Sequence, residues 1–159
     1  MPVFLALVAA LLMASPAFCQ QQPPPPDVAI PDMVQKYVRA FNAGDADAAA
    51  ATYTPTGSHT YAMGFTHHGR TAIAQGLKEM LAGPMKGAKI SIKTLRITPL
   101  APTVAVEEEA FSISGLKAPD GQALPEVQGL CLVTHQYIDQ QWLAAAVQCL
   151  VPPANAGTK

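Results

Sequence analysis

A short alternating segment near residue 60 carries side chains that could move a proton. From Gly57 to Met63 the sequence is Gly-Ser-His-Thr-Tyr-Ala-Met, so in a strand His59, Tyr61 and Met63 share one face. An imidazole titrates near neutrality and can act as a general base, and a tyrosine hydroxyl can donate a hydrogen bond. We therefore take His59 as a candidate base and Tyr61 as a candidate donor.

A second candidate for acid–base chemistry is a carboxylate in a later strand. Glu107, Glu108 and Glu109 are consecutive, and Glu108 alternates with Val104 and Val106. This parity predicts that Glu108 faces inward, where burial would raise the pKa of its carboxyl group. The alternative is that the three glutamates form a solvated strand edge.

Other chemistries have weaker signals. His67 and His68 are adjacent, so they point apart in an extended segment, and no third ligand lies at a recognisable spacing. The sequence has no Cys-x-x-Cys pair, glycine-rich phosphate loop or Gly-x-Ser-x-Gly elbow. We therefore predict no metal and no cofactor. A net charge of −1 with 13% charged residues also argues against nucleic acid and membrane surfaces as partners.

Three helices are predicted ahead of most of the strands. Apolar residues recur at helical spacing in the first and third helices, which end at Gly44 and Gly83. Asp45 is the predicted N-cap of a second, alanine-rich helix. The predicted bounds are about 31–43, 45–53 and 70–82.

From Ala88 onward the apolar pattern changes from helical to alternating. Strands are predicted at about 88–98, 103–114, 127–138 and 142–151, in addition to the strand near residue 60. A chain of 159 residues with 50% hydrophobic side chains can bury one full core. Helices followed by consecutive strands predict a single α+β domain with an antiparallel sheet.

The N-terminal residues predict export. Val3 to Ala14 is wholly apolar, too short to span a membrane, which takes about 20 residues, but suited to the core of a signal peptide. Cleavage is expected near Ala17 to Cys19, giving a secreted or periplasmic protein without a lipid anchor; the alternative is a buried N-terminal helix. The predicted division is a signal peptide at 1–19, a Pro/Gln-rich linker at 20–29, the folded domain at 30–152 and a disordered tail at 153–159.

The order of these elements resembles the nuclear-transport-factor-two-like superfamily, and in particular its ketosteroid-isomerase and SnoaL-like branches. The resemblance is carried by VQKYVRAFNAGD at 34–45, GRTAI at 69–73, IDQQWLAA at 138–145 and Gln148. It implies a cystatin-like α+β roll, in which a cone-shaped, curved antiparallel sheet (a half-barrel) is covered by three N-terminal helices. It also implies a pocket inside the cone and, often, a homodimer.

The resemblance to ketosteroid isomerase further implies roles for three positions. Tyr37 matches the tyrosine of the oxyanion hole, the general-base position falls on Tyr61, and the position of the protonated acid falls near Thr134. Ketosteroid isomerase needs carboxyl groups at the last two positions. Their absence argues against classical isomerase activity.

We predict a pocket lined by the first helix and by the inward positions of the strands. The residues are Tyr37, Phe41, Tyr53, His59, Tyr61, Met63, Glu108, Ser112, Thr134, Gln136 and Gln148. The leading hypothesis is that the pocket binds a small, mostly apolar molecule. One alternative is an isomerase, cyclase or hydratase with His59 as base, Tyr37 and Tyr61 as donors and Glu108 as a second candidate base. Another is a dimeric interaction domain without a ligand.

Hairpin register predicts a disulfide between Cys131 and Cys149. If residues 139–141 form a three-residue loop, residues whose numbers sum to 280 face each other, and the two cysteines are such a pair. Opposed residues have Cβ atoms roughly 4.5–5.5 Å apart, close enough for a bridge. With Thr134 and Gln148 assigned to the pocket, the cysteines are expected on the opposite, convex face.

Overall fold

The computed structural model describes residues 22–153. Its elements are α1 Pro26–Ala43, α2 Ala46–Ala50, β1 Tyr53–Thr60, β2 Thr66–His68, α3 Arg70–Ala82, β3 Lys89–Ala101, β4 Val104–Ser114, β5 Val127–Ile138 and β6 Gln141–Leu150. Among the described residues, none of the helices has the length and apolar character needed to cross a membrane. The predicted signal peptide and nearly all of the predicted tail lie outside these residues. Export stays a prediction that the N-terminal sequence of the exported protein would test.

Six strands form one curved, open sheet in the order β2-β1-β6-β5-β4-β3. Neighbouring strands are antiparallel, except that β1 and β6 run parallel. Register shifts interrupt the pairing of β1 with β6, of β3 with β4 and of β5 with β6, and such bulges bend strands. The α+β class and the curved sheet with three helices are confirmed, with one parallel pair in a sheet that was predicted to be antiparallel.

Helix α1 begins earlier than the apolar pattern predicts. Pro26 lies in its first turn, where the missing N–H has no helical partner to lose, and Asp27 lies in the same turn. The segment predicted as a linker is therefore helical from residue 26 onward. At the other end Gly44 adopts a left-handed conformation with φ of 77°, and Asp45 accepts a hydrogen bond from the Ala48 N–H, so the predicted corner is confirmed.

Helix α2 is shorter than predicted because the chain enters the sheet early. It ends at Ala50, and β1 begins at Tyr53 rather than at residue 57. The Thr52 carbonyl accepts a hydrogen bond from the Ala144 N–H of β6, which ties the start of this strand to its neighbour. Tyr53 therefore lies on the same strand as His59. Strand β2 forms within a segment that was predicted to be a loop.

The helices pack on one face of the sheet, which we call the inner face; the opposite side is the outer face. The larger apolar cluster contains Phe41 of α1, Leu77 of α3 and Phe111 of β4. A smaller cluster joins the start of α1 to the sheet and includes Val34 and Trp142. Burying each large apolar side chain contributes about 1.5–3 kcal/mol, so these clusters hold the helices against the sheet.

The inner face of β4, β5 and β6 carries the opposite set of residues from the one predicted. Ala105, Glu107 and Glu109 are buried there. The predicted pocket residues Glu108, Ser112, Thr134, Gln136 and Gln148 alternate with the buried positions and lie on the outer face. Because side chains alternate along a strand, an error of one residue moves the whole set to the other face.

The hairpin of β5 and β6 reaches the predicted pairing by a different route. Asp139 and Gln140 form a two-residue turn with φ of 48° and 61°, the left-handed values of a type I′ turn. A bulge at Ala145 then adds one residue to β6, so Cys131 still opposes Cys149. The structure joins the two cysteines in a disulfide. It lies on the inner face, which corrects the prediction of the convex face.

Candidate functional site

A cavity of about 300 Å³ lies between α1 and the inner face of the sheet. Six of the predicted pocket residues line it: Tyr37, Phe41, Tyr53, His59, Tyr61 and Met63. Most of the remaining wall is apolar and includes Ile90, Phe111, Val133 and Val147. Gly129 leaves room for the Phe111 ring, since a Cβ there would lie 2.4 Å from a ring carbon. The cavity therefore has a largely hydrophobic wall with a few polar groups.

One polar part of the wall is formed by Tyr53 and His59. The Tyr53 hydroxyl lies 2.7 Å from Nδ1 of His59, and the His59 ring stacks on Tyr61 with a centroid separation of 3.9 Å. Burial lowers the pKa of His59 to about 3, and the nearby His67 adds to this shift. The His59 imidazole is therefore neutral at physiological pH.

The second ring nitrogen of His59 faces the disulfide. Its Nε2 lies 3.9 Å from Sγ of Cys149, and both cysteines line the cavity. Each nitrogen of His59 thus already has a neighbour within the protein. Together with the low pKa, this contact argues against the predicted role of His59 as a general base, because a group that binds protons so weakly abstracts them poorly.

Three tyrosine side chains, Tyr37, Tyr53 and Tyr61, line the cavity near His59. The ring of Tyr37 meets that of Tyr53 edge-on at 6.2 Å. Burial raises the pKa of Tyr37 and Tyr53 well above the usual range and raises the pKa of Tyr61 to about 12. Within residues 22–153 the hydroxyl of Tyr61 has no hydrogen-bond partner. With their pKa values raised, the three tyrosines are uncharged at neutral pH and place no charge in the cavity.

Three polar residues on the inner face of β4 and β5 were missed by the sequence prediction. Glu109 lines the cavity, and burial, followed by the charge of Glu107, raises the pKa of Glu109 to about 8. Glu109 is therefore mostly a neutral carboxylic acid at pH 7. Glu107 lies 2.7 Å from Nε2 of His135 and accepts a 2.5 Å hydrogen bond from Thr94, and the side chains of Glu107 and His135 are 0% and 1% exposed.

A sequence signal for these residues exists in the strand itself. Phe111 and Ile113 have the same parity as Glu107 and Glu109, and both are large apolar residues that belong on the buried face. Glu108 instead lies on the outer face, where it accepts a 3.0 Å hydrogen bond from Nε of Arg96. Its predicted place among the catalytic candidates is wrong, because its side chain does not reach the cavity.

The adjacent histidines have separate surroundings. The ring of His67 packs edge-on against Tyr61, and Gly76 of α3 makes room for it, since a Cβ there would lie 2.0 Å from the imidazole. His68 is exposed. Over the described part of the chain, no cluster of three or more His, Cys, Asp or Glu residues has an arrangement that could hold a metal ion.

A family model for the SnoaL-like domain matches residues 34–129 of this sequence. The chain belongs to the SnoaL-like domain family. The resemblance that the first helix and its corner indicated is thereby confirmed. No curated protein sequence matches this SnoaL-like domain.

Solved structures show the same fold at low sequence identity. A protein with a cystatin-like fold from Caulobacter vibrioides is 21% identical, with a TM-score of 0.71 over 80% of this chain and 90% of the other. A putative scytalone dehydratase from Novosphingobium aromaticivorans is 18% identical, with a TM-score of 0.68 over 82% and 87%. A putative calcium/calmodulin-dependent protein kinase II association domain from Xanthomonas campestris is 18% identical, with a TM-score of 0.66 over 79% and 86%. These similarities establish the fold alone.

Proposed function

We propose that this SnoaL-like domain binds a small, neutral, mostly apolar molecule in its cavity. The observation that carries the proposal is a 300 Å³ cavity with a largely apolar wall and a few convergent polar groups. Concave, mostly apolar sites with a small number of placed polar groups are typical of small-molecule binding. The disulfide on the cavity wall supports placing the domain in an oxidising compartment, in keeping with the predicted export.

The proposed ligand is neutral because the cavity offers no isolated charge at pH 7. The low pKa of His59 keeps the imidazole uncharged, and the raised pKa of Glu109 keeps most of its carboxyl group protonated. Glu107 and His135 are hydrogen-bonded to each other. An ionised ligand would lose its hydration on entering the cavity and would meet no protein group that already carries the opposite charge. This loss is costly in an apolar site.

The volume of the cavity limits the size of the ligand. A cavity of about 150 Å³ lined by apolar side chains accommodates benzene. A cavity of about 300 Å³ therefore accommodates a molecule of roughly two fused rings. Catalysis is not part of the proposal, because His59 is a weak base and Glu108 lies outside the cavity.

Filling the cavity should abolish ligand binding. Val147 is 6% exposed and lines the cavity, so Val147→Phe places a ring where the ligand would lie. We expect the variant to bind naphthalene, followed by its fluorescence, at least tenfold more weakly than the wild type, on the scale of an overpacking cost of about 1–3 kcal/mol. Native mass spectrometry of protein purified from its source would identify the natural ligand.

The matched control is Gln148→Phe, which adds the same ring to the next residue on the outer face. It should bind naphthalene like the wild type, and circular dichroism would verify that both variants are folded. If Val147→Phe also retained full affinity, the probe would be binding elsewhere and the proposed cavity site would be refuted.

We also propose that a second copy of the chain packs on the outer face. Leu130, Leu132 and Leu150 are 43%, 48% and 53% exposed on adjacent central strands, and Leu130 pairs directly with Leu150. Contiguous exposed apolar residues of this kind mark protein–protein contacts. The homodimer implied by the resemblance would bury them.

A charge at the centre of that patch should dissociate the dimer. Leu132→Lys is expected to raise the dimer dissociation constant at least tenfold, because an unpaired ammonium group is costly to bury. Analytical ultracentrifugation would measure the shift. The control is Leu100→Lys at the end of β3, which is also exposed and lies away from the patch. A monomeric wild type would contradict the proposal.

A further inference from the structure

The wall of the cavity contains a carboxyl group among mostly apolar side chains. Glu109 of β4 is 6% exposed and lines the cavity, whereas Glu107 on the same face is not part of the wall. Among the described residues, Glu109 is the only acidic side chain that lines this cavity. A buried acid is costly in such surroundings unless a partner replaces the hydration that it has lost.

Within residues 22–153, Glu109 has no hydrogen-bond partner of this kind. Across the sheet it lies opposite Thr94 on one side and Cys131 on the other. The Thr94 hydroxyl donates to Glu107 instead, and Cys131 has no thiol proton because it is in the disulfide. Burial and the charge of Glu107 account for the raised pKa of Glu109, with no contribution from a hydrogen bond.

The carboxyl group of Glu109 is open to the cavity. The Tyr61 hydroxyl and Nδ1 of His67 and His135 also lack partners, but these atoms are closed off from any molecule in the cavity. The carboxyl oxygens of Glu109 differ in that they keep accessible surface. Because Glu109 lies on the inner face and lines the cavity beside Tyr37 of α1, a bound molecule can reach this surface.

Building on the proposed function, we propose that Glu109 is a ligand-binding group that recognises a weakly basic ring nitrogen on the bound molecule. At pH 7 the carboxyl group is an O–H donor, because burial raises the pKa of Glu109 to about 8. A ring nitrogen accepts this hydrogen bond with its lone pair and leaves the rest of the ring apolar. The ligand class is a nitrogen heterocycle of roughly two fused rings that is uncharged in water.

The charges near Glu109 favour this acceptor over other polar groups. A ring nitrogen can take up part of the shared proton, and its positive charge then lies near Glu109 and Glu107, which strengthens the hydrogen bond. A carbonyl oxygen is too weak a base to do this. A carboxylate or phosphate would be repelled by any negative charge on the two glutamates. An ammonium group would lose more hydration on entry than a neutral nitrogen.

A matched pair of probes tests the inference. Naphthalene and isoquinoline have the same shape and differ in one ring atom, which is a nitrogen in isoquinoline. We expect wild-type protein to bind isoquinoline at least as tightly as naphthalene, although the nitrogen gives up a hydrogen bond to water. Glu109→Met should weaken isoquinoline relative to naphthalene by about tenfold, because the buried nitrogen then lacks a donor. Competition against naphthalene fluorescence would measure both affinities.

The control variant is Glu108→Met, which makes the same change at the next residue, on the outer face beside Arg96. It should keep the wild-type ratio of the two affinities. An unchanged ratio in Glu109→Met would place recognition of the nitrogen elsewhere and overturn the inference. Binding of naphthalene without isoquinoline would overturn it while leaving the proposed function intact, and absence of binding by both probes would overturn both.

A spectroscopic readout on the wild type decides the question even if Glu109→Met does not fold. The nitrogen resonance of ¹⁵N-labelled isoquinoline moves upfield when the nitrogen accepts a hydrogen bond. In the complex at pH 7 it should lie upfield of its position in water, because a carboxylic acid is a stronger donor than water. A resonance near its position in a hydrocarbon solvent would show that the nitrogen has no donor in the cavity and would refute the assignment.

Discussion

Replacing Glu109 with Gln is expected to change the difference in folding stability between pH 4.5 and pH 8 by about 4 kcal/mol. Burial raises the pKa of Glu109 from 4.5 to about 8, so in this window the folded protein keeps a proton that the unfolded chain releases. The contribution of Glu109 to the stability of the wild type must then fall as the pH rises through the window. Each pKa unit corresponds to about 1.4 kcal/mol, and the variant lacks this contribution.

Urea denaturation of the wild type and the variant across this pH range would measure the difference. Glu108→Gln is the matched control, since the neighbouring carboxyl group lies on the outer face beside Arg96 and should leave the profile nearly unchanged. A constant difference between the wild type and Glu109→Gln would show that Glu109 is ionised in the folded protein.

His59 has the opposite effect on the dependence of folding stability on pH. Burial lowers the pKa of His59 from 6.5 to about 3, so the unfolded chain takes up a proton as the pH falls through 6.5 while the folded protein does not. This residue therefore removes stability as the pH falls from 6.5 toward 3. Between pH 4.5 and 6.5 the two contributions oppose each other, so together they produce a plateau of stability in the wild type.

The second large effect concerns the buried pair of Glu107 and His135. His135→Phe alone is expected to lower the free energy of unfolding by about 3–5 kcal/mol, because it leaves a buried carboxyl group with Thr94 as its remaining partner. The double variant Glu107→Met/His135→Phe should recover most of this loss, since apolar replacements of a buried polar pair are often nearly neutral. Urea denaturation at pH 7 would give all the values of this double-mutant cycle.

The comparison pair for this cycle is Arg96 and Glu108, a partly exposed salt bridge on the outer face. Removing either partner there should cost about 1 kcal/mol or less, because solvent screens exposed ion pairs. If the losses in unfolding free energy from Glu107→Met and His135→Phe simply added in the double variant, the two side chains would not be energetically coupled.

The cavity residues in the N-terminal half of the chain could be predicted from the sequence. The apolar stripe of α1 fixes which side chains of that helix meet the sheet, so Tyr37 and Phe41 were placed correctly. His59 and Tyr61 followed from alternation, although β1 begins earlier than predicted and ends before Tyr61. The cysteine pairing followed from hairpin register, and the bulge at Ala145 compensates for the shorter turn.

The parity of Phe111 and Ile113 indicates the buried face of β4, but the burial of an acidic side chain on that face was decided by the tertiary structure. Burying Glu107 depends on Thr94 from β3 and on His135, which lies 28 residues away in sequence. No local pattern reveals such partners, and without them a run of three glutamates indicates a solvated edge. The sequence by itself thus determined the existence of the three helices, five of the six strands and the cysteine pair, whereas the bounds of α1 and α2, strand β2 and the bulge in β6 came from the structure. Packing between distant strands decided the burial of Glu107, because a fully buried acid is costly unless other elements supply its hydrogen bonds.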